Sequence, residues 1–170
     1  VALIAAGGMY GWAQAAASVP TSYGEASKVD TPILRVPFIV KPPTIDGIMA
    51  RHGRIDILVN NAGITRDNLL MRMKDEEWSS IMETNLTSVF RLSRAVLRPM
   101  MKARFGRIVS IASVVGVSGN AGQTNYAAAK GGIVSLTYAI AREMGRYGVT
   151  CNAFAPRART RLSVGDDTLT

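Results

Sequence analysis

Ile55-Asp56-Ile57-Leu58-Val59-Asn60-Asn61-Ala62-Gly63 is a short apolar run that ends in turn-forming residues. A run of this length, rich in branched aliphatics and closed by Asn and Gly, predicts a buried strand over Ile55–Val59. The pattern alternates on its C-terminal side. Leu86, Val89, Phe90, Val96, Leu97, Met100 and Met101 keep helical spacing in a long helix, about Asp75 to Phe105, that ends near Gly106. Ile108–Ala112 is the next strand, rich in β-branched residues. A glycine-spotted loop from Val114 to Thr124 leads into a helix whose stripe is Ile133, Leu136, Ile140 and Met144, ended by Gly148. Val149–Ala155 is a further strand, closed by Pro156. Strands alternating with helices predict an α/β fold, a Rossmann-like doubly wound parallel sheet.

The helix after Thr124 carries Tyr126-Ala127-Ala128-Ala129-Lys130. Residues at i and i+4 share a helix face, so a fixed ammonium lies one turn from a phenol. Tyrosine has an ordinary pKa of about 10, and a nearby cation favours the phenolate, bringing it toward the working range of a proton donor or acceptor. Ser113 adds a hydroxyl for a carbonyl or alkoxide oxygen. Taken one at a time these residues have plainer readings: Asn85 as a helix cap, Ser113 as a strand end, Lys130 as a solvated cation.

Composition sets bounds. The 170 residues carry 48% hydrophobic and 19% charged residues, a balance that fits one globular domain over 1–170 and argues against disorder. No apolar run of about 18 residues exists, so no membrane span is expected. The net charge of +8 is spread along the chain, as at Arg104, Arg107, Arg142 and Arg146, so it points to anionic small molecules or an acidic protein and not to nucleic acid. The tail cations Arg157, Arg159 and Arg161 are read as solvated. One cysteine, Cys151, allows no internal disulfide. Val1 to Pro20 has the small residues of a secretory signal but no basic start, since the first cation is Lys28; a cytoplasmic protein is expected. The single histidine, His52, is read as a surface residue and excludes a metal site built on several imidazoles. Methionines at 71, 73, 82, 100, 101 and 144 are read as packing.

The Ile55–Gly63 block, Thr84-Asn85-Leu86, Gly106-Arg107-Ile108-Val109-Ser110-Ile111-Ala112-Ser113 and Gly122-Gln123-Thr124-Asn125-Tyr126 through Lys130 occur in this order. From Arg54 to Pro156 the chain resembles the short-chain dehydrogenase/reductase superfamily, and within it the bacterial 3-oxoacyl-(acyl carrier protein) reductases. The resemblance implies reduction of a 3-oxoacyl thioester with NADPH in fatty acid biosynthesis, with NAD as the other cofactor. Tyr126 would donate a proton, Lys130 would lower the tyrosine pKa and bind ribose, Ser113 would hold the carbonyl, and Asn85 would anchor a water. Asn60, Ala62 and Gly63 would pass under the adenosine side of the cofactor. The partner would be acyl carrier protein or an acyl-CoA thioester. A dimer or tetramer would pair the long helices. Arg104 matches a docking position for the carrier protein at the active-site mouth, while Tyr147 stands at its usual second position. A 3-hydroxyacyl-CoA or hydroxysteroid dehydrogenase, and an inactive cofactor-binding scaffold or fragment, remain rival readings.

The two ends depart from the pattern. Val1–Ala6 reads as a first strand running into Gly7-Gly8-Met9-Tyr10-Gly11-Trp12-Ala13, where Gly7 and Gly11 suit a pyrophosphate loop but Ala13 replaces the last glycine. The family needs about three helices and two strands before the strand ending at Asn60, roughly 60 residues, and only about 50 are available. Pro20, Pro32, Pro37, Pro42 and Pro43 interrupt them, and Pro37 breaks the apolar run Ile33–Val40. Residues 1–53 are therefore expected to be atypical, with a βα unit missing or remodelled. After the last strand, Pro156 and Thr160 are the cofactor candidates, but Arg157 stands where the family has glycine. The substrate lid and final strand are expected to be missing.

Overall fold

The computed structural model describes residues 2–6, 33–37 and 42–156. Five strands form one sheet: β1 (Ala2–Ala6), β2 (Ile33–Pro37), β3 (Ile57–Asn60), β4 (Gly106–Ile111) and β5 (Val149–Phe154), in the order β2-β1-β3-β4-β5. Every neighbouring pair is parallel. The doubly wound sheet expected from the alternating pattern is present. Its chain reverses direction across the sheet between β1 and β3, and in such sheets ligands bind beyond the carboxyl ends of the strands at that crevice.

Among the described residues a single strand and a single helix, α1 (Pro42–His52), lie between β1 and β3. β2 pairs directly with β1 in the register Ala6↔Pro37. Pro37 thus closes the strand and does not break it. β2 is the edge of the described sheet, where a missing N–H is tolerated. Pro42 and Pro43 open α1, where the first N–H groups need no helical partner. His52 ends α1 half-buried, not at the surface as expected.

The long helix expected from Asp75 to Phe105 is three pieces: α2 (Asp75–Ile81), a π-helical turn (Met82–Thr87) and α3 (Ser88–Ala103). The acidic first turn of α2, Asp75-Glu76-Glu77, suits the positive end of a helix. On α3, Val89, Leu92, Val96 and Met100 face the sheet, whereas Phe90 is exposed with Arg94 stacked over its ring. The loop expected over Val114–Thr124 contains a short helix, α4 (Val115–Ser118), and the tyrosine helix is α5 (Thr124–Met144). The core joins Ile45 and Ile48 of α1 to Leu58, Leu92, Val96, Met100, Ile108, Ile140, Val149 and Cys151. Met100 is fully buried, but Met71 is 89% exposed, so the packing role expected of the methionines does not extend to it.

The joint between α5 and β5 is tight. Gly148 has φ +75°, and a Cβ there would stand 2.3 Å from the carbonyl oxygen of Arg104. Arg104 is itself left-handed, with φ 54°, at the end of α3. Gly148→Ala should cost about 1–3 kcal/mol of unfolding free energy through strain and forced separation. Urea denaturation of the two proteins measures it.

Candidate active site

β4 delivers Ser113 just beyond its last residue, at the carboxyl edge of the sheet. The Ser113 Oγ accepts a hydrogen bond from the Val115 N–H at 3.2 Å, which starts α4. α5 begins beside it, and the Ser113 hydroxyl lies close enough to the Tyr126 phenol to lower its pKa. One turn further, Lys130 is only 4% exposed; its Nζ donates to the Ile111 carbonyl at 2.7 Å and lies 5.6 Å from the centre of the Tyr126 ring. The helix spacing therefore yields the juxtaposition expected from the sequence.

Asn85 lies in the π-helical turn and is fully buried. Its Oδ1 accepts from the Ile64 N–H at 2.8 Å and its Nδ2 donates to the Ile64 carbonyl at 2.9 Å. Both halves of the amide are used to hold the chain leaving β3. That chain runs close to the lysine: a Cβ on Gly63 would lie 3.0 Å from Asn85 Oδ1 and 3.5 Å from Lys130 Nζ. Only a glycine leaves that space open. Asn85, Ser113, Tyr126, Lys130 and Gly63 thus come together, although they span 68 positions of sequence from 63 to 130.

Asn60 does not join them on the open side. It is 2% exposed, and its Nδ2 donates to Ser110 Oγ at 3.1 Å and Ser93 Oγ at 3.3 Å, bracing β4 and α3 beneath the site. Ala62 is also buried, whereas Asn61 is exposed. The alternation of a strand turns neighbours to opposite sides, which the sequence reading did not use to choose between Asn60 and Asn61. Pro156 is half-buried at the end of the described residues. Gly7, Gly11 and Thr160 lie outside them. Arg104 precedes β4, so it sits at the opposite end of that strand from Ser113 and not at the mouth formed by this chain.

The electrostatics differ from the sequence expectation. The Tyr126 phenol titrates above its ordinary value: burial raises it most, the Ser113 hydroxyl lowers it, and the Asp67 carboxylate raises it again. Lys130 is not among the groups that shift it, and its ammonium donates to the Ile111 carbonyl. Burial takes Lys130 itself down to about 8. At neutral pH the site holds a protonated phenol and a mostly protonated lysine. That pair is set to give a proton.

Beyond the residues singled out from sequence, the chain leaving β3 is stitched to the start of α5. Asn125 Nδ2 donates to the Arg66 carbonyl at 2.9 Å, Gln123 Nε2 donates to Asp67 Oδ2 at 2.9 Å, and the Asn68 N–H donates to the Gly122 carbonyl at 2.8 Å. Asn68 Nδ2 also reaches Glu77 Oε2, which accepts the Lys74 N–H at 2.8 Å and holds the Glu77 carboxyl below its usual range. Nothing in a linear sequence marks contacts across such separations. Among the described residues no cluster of three or more metal-ligating side chains occurs, and no helix is long and apolar enough to cross a membrane.

A family model described as short chain dehydrogenase matches residues 42–161, which is most of the chain. The chain belongs to the short chain dehydrogenase family. It is similar to the 3-oxoacyl-(acyl-carrier-protein) reductase FabG of Vibrio cholerae, 62% identical over 122 residues, covering 69% of this chain and 50% of the relative. The Escherichia coli protein of the same name is 59% identical over 122 residues, with the same coverage. That of Haemophilus influenzae is 67% identical over 112 residues, covering 66% of this chain and 46% of the relative. The chain spans about half the length of the curated relatives it matches.

The buried ammonium has a consequence for stability. A lysine titrating at about 8 when folded and 10.5 when unfolded binds fewer protons in the fold between those values. The penalty for burying its charge is fully present below pH 8 and is relieved as pH rises. Stability should therefore rise by about 1 kcal/mol from pH 8 to 9. Above pH 9 the buried Cys151 thiol, pushed up to about 11, acts in the opposite sense and flattens the rise. Urea unfolding at a series of pH values measures this, and Lys130→Met should abolish the rise.

Proposed function

We propose that this chain carries the catalytic part of an NADPH-dependent reductase that converts 3-oxoacyl thioesters, borne on acyl carrier protein, into 3-hydroxyacyl thioesters in fatty acid biosynthesis. The observation that carries the reading is the buried Lys130, its Nζ 5.6 Å from the centre of the Tyr126 ring, with the Ser113 hydroxyl close enough to act on the phenol. The names of the three relatives support the substrate class, and the +8 charge suits an acidic carrier and a phosphate-bearing cofactor.

Several features fit a nicotinamide cofactor. The crevice between β1 and β3 is where ligands of such sheets bind, and Gly63 leaves a cradle beside Lys130 that a Cβ would fill. Lys130 Nζ has three N–H donors, of which Ile111 takes one, so donors remain for ribose hydroxyls. We assign holding of the cofactor to Gly7, Gly11, Ala62, Gly63, Tyr126, Lys130, Pro156 and Thr160, with Asn60 acting from beneath through its brace and Asn61 offering the exposed amide. NADPH, when bound, supplies the hydride, with NAD the alternative.

In this mechanism the thioester's keto oxygen accepts hydrogen bonds from Ser113 and Tyr126, which orients the carbonyl and withdraws charge from it. As the carbonyl becomes an alkoxide, Tyr126 gives its phenolic proton to that oxygen. The phenolate left behind sits near the Lys130 ammonium, which stabilises it. A phenol held above its ordinary pKa is protonated at neutral pH, so the proton that reduction requires is in place. Asn85 keeps the Gly63 end of the site in place through Ile64. The exposed Phe90 of α3 and Tyr138 of α5, 43% and 66% accessible, support assembly through these helices into a dimer or tetramer. A cytoplasmic setting fits this chemistry.

Loss of NADPH absorbance in the presence of acetoacetyl thioesters of carrier protein and of coenzyme A tests the reading. Turnover is expected with both, and Tyr126→Phe should lower kcat by about 100-fold or more. The rate of reduction should fall as pH rises through about 8, where Lys130 loses its proton. Turnover untouched by Tyr126→Phe would sink the mechanism. Activity on the coenzyme A thioester alone would favour a 3-hydroxyacyl-CoA dehydrogenase.

A further inference from the structure

Asn125 precedes Tyr126 and is fully buried, although it lies in the first turn of α5, where side chains commonly meet solvent. Its Oδ1 accepts from the Tyr126 N–H at 2.7 Å. Its Nδ2 donates to the Arg66 carbonyl at 2.9 Å and more loosely to the Glu77 carbonyl at 3.4 Å. The orientation of this amide is forced: two carbonyls require the NH2 group and one N–H requires the oxygen. One planar side chain therefore joins the first turn of α5, the strip leaving β3, and α2.

The partners of this strip sharpen the point. Asn85 holds it at Ile64, Asn125 at Arg66, and Gln123 at Asp67. Two of the three anchors lie within three residues of Tyr126. A simple helix cap would need only an acceptor, which Asp or Ser also provides. The two carbonyls that Asn125 faces need a donor. That requirement has no capping explanation.

We propose that Asn125 is a positioning residue, whose amide holds the Tyr126 phenol against Ser113 by tying the first turn of α5 to the strip from Ile64 to Asn68. Its kinetic consequence rests on the reductase reading; its geometric consequence does not.

Asn125→Asp separates capping from positioning. The carboxylate keeps an acceptor for the Tyr126 N–H but turns a second acceptor toward the Arg66 and Glu77 carbonyls. Positioning predicts a fall in kcat of about 100-fold with KM for the thioester nearly unchanged, since small misplacements of a reacting group have effects of that order. A cap-only role predicts kcat at the unsubstituted level, and that result overturns the proposal. Asn125→Ala adds no charge and allows the phenol to be followed by near-ultraviolet titration, with Tyr126→Phe as the blank. The groups facing the phenol are Ser113, Asp67 and Lys130. With the phenol displaced from Ser113, the lowering effect of that hydroxyl is lost and the titration should move to higher pH. An unmoved titration overturns the proposal.

In the unsubstituted chain the Asn125 side-chain amide protons should exchange slowly with solvent, and free exchange would overturn the tie itself even if both variants failed to fold. Absence of turnover in the unsubstituted chain would bring down the reductase reading alone, because titration and exchange would still decide the role of Asn125.

Discussion

A charged amine buried to 4% exposure is the constraint around which this molecule is arranged. An ammonium taken out of water is costly unless it is hydrogen-bonded. The Ile111 carbonyl, freed where β4 stops pairing, supplies a fixed acceptor. The strand end and the helix are thereby locked in one register, and Ser113 and Tyr126 follow from that register. The chain from β3 passes between Asn85 and the amine, where a Cβ at position 63 would crowd Asn85 Oδ1 at 3.0 Å. The cost of burying Lys130 is borne by a core in which Leu58, Val96, Met100, Ile108 and Val149 are fully enclosed.

The C-terminal two-thirds of the fold was legible in the sequence because local signals agreed there. Apolar runs ending in Asn and Gly gave strands, helical stripes gave α3 and α5, and their alternation implied a parallel sheet. Discrepancies arose where tertiary context overrode a local rule. Pro37 looked like a breaker, yet it closes a strand on the sheet's described edge. The Asp75–Phe105 stripe looked uniform, but it passes through a wider turn. Phe90 and Met71 matched apolar patterns that their faces do not bury.

Within the site, Tyr126 and Lys130 were readable from one interval, because helix geometry alone puts them together. Their electrostatics were not. A sequence shows that a cation is near a phenol, but not that a backbone carbonyl has engaged the cation or that burial dominates the phenol. The choice between Asn60 and Asn61 required knowing which face of β3 is covered. Asn125 was quoted within a motif without a role, since its partners Arg66 and Glu77 lie 59 and 48 positions away.

The wider turn from Met82 to Thr87 also constrains how this family member can change. A π-helical turn holds one residue more than the α-helix on either side would need. Ser88 Oγ donates back to the Thr84 carbonyl at 2.6 Å, within the run where the regular ladder is interrupted. Removing one residue would restore an unbroken helix with better backbone bonding. Because the wider turn absorbs that residue, α2 and α3 would keep their relative phase, and the change would fall within the turn itself, where Asn85 sits. Asn85 would then lose the place from which its amide holds Ile64. The more regular chain would be the less useful one, so a deletion that looks conservative by helix propensity is closed to this fold.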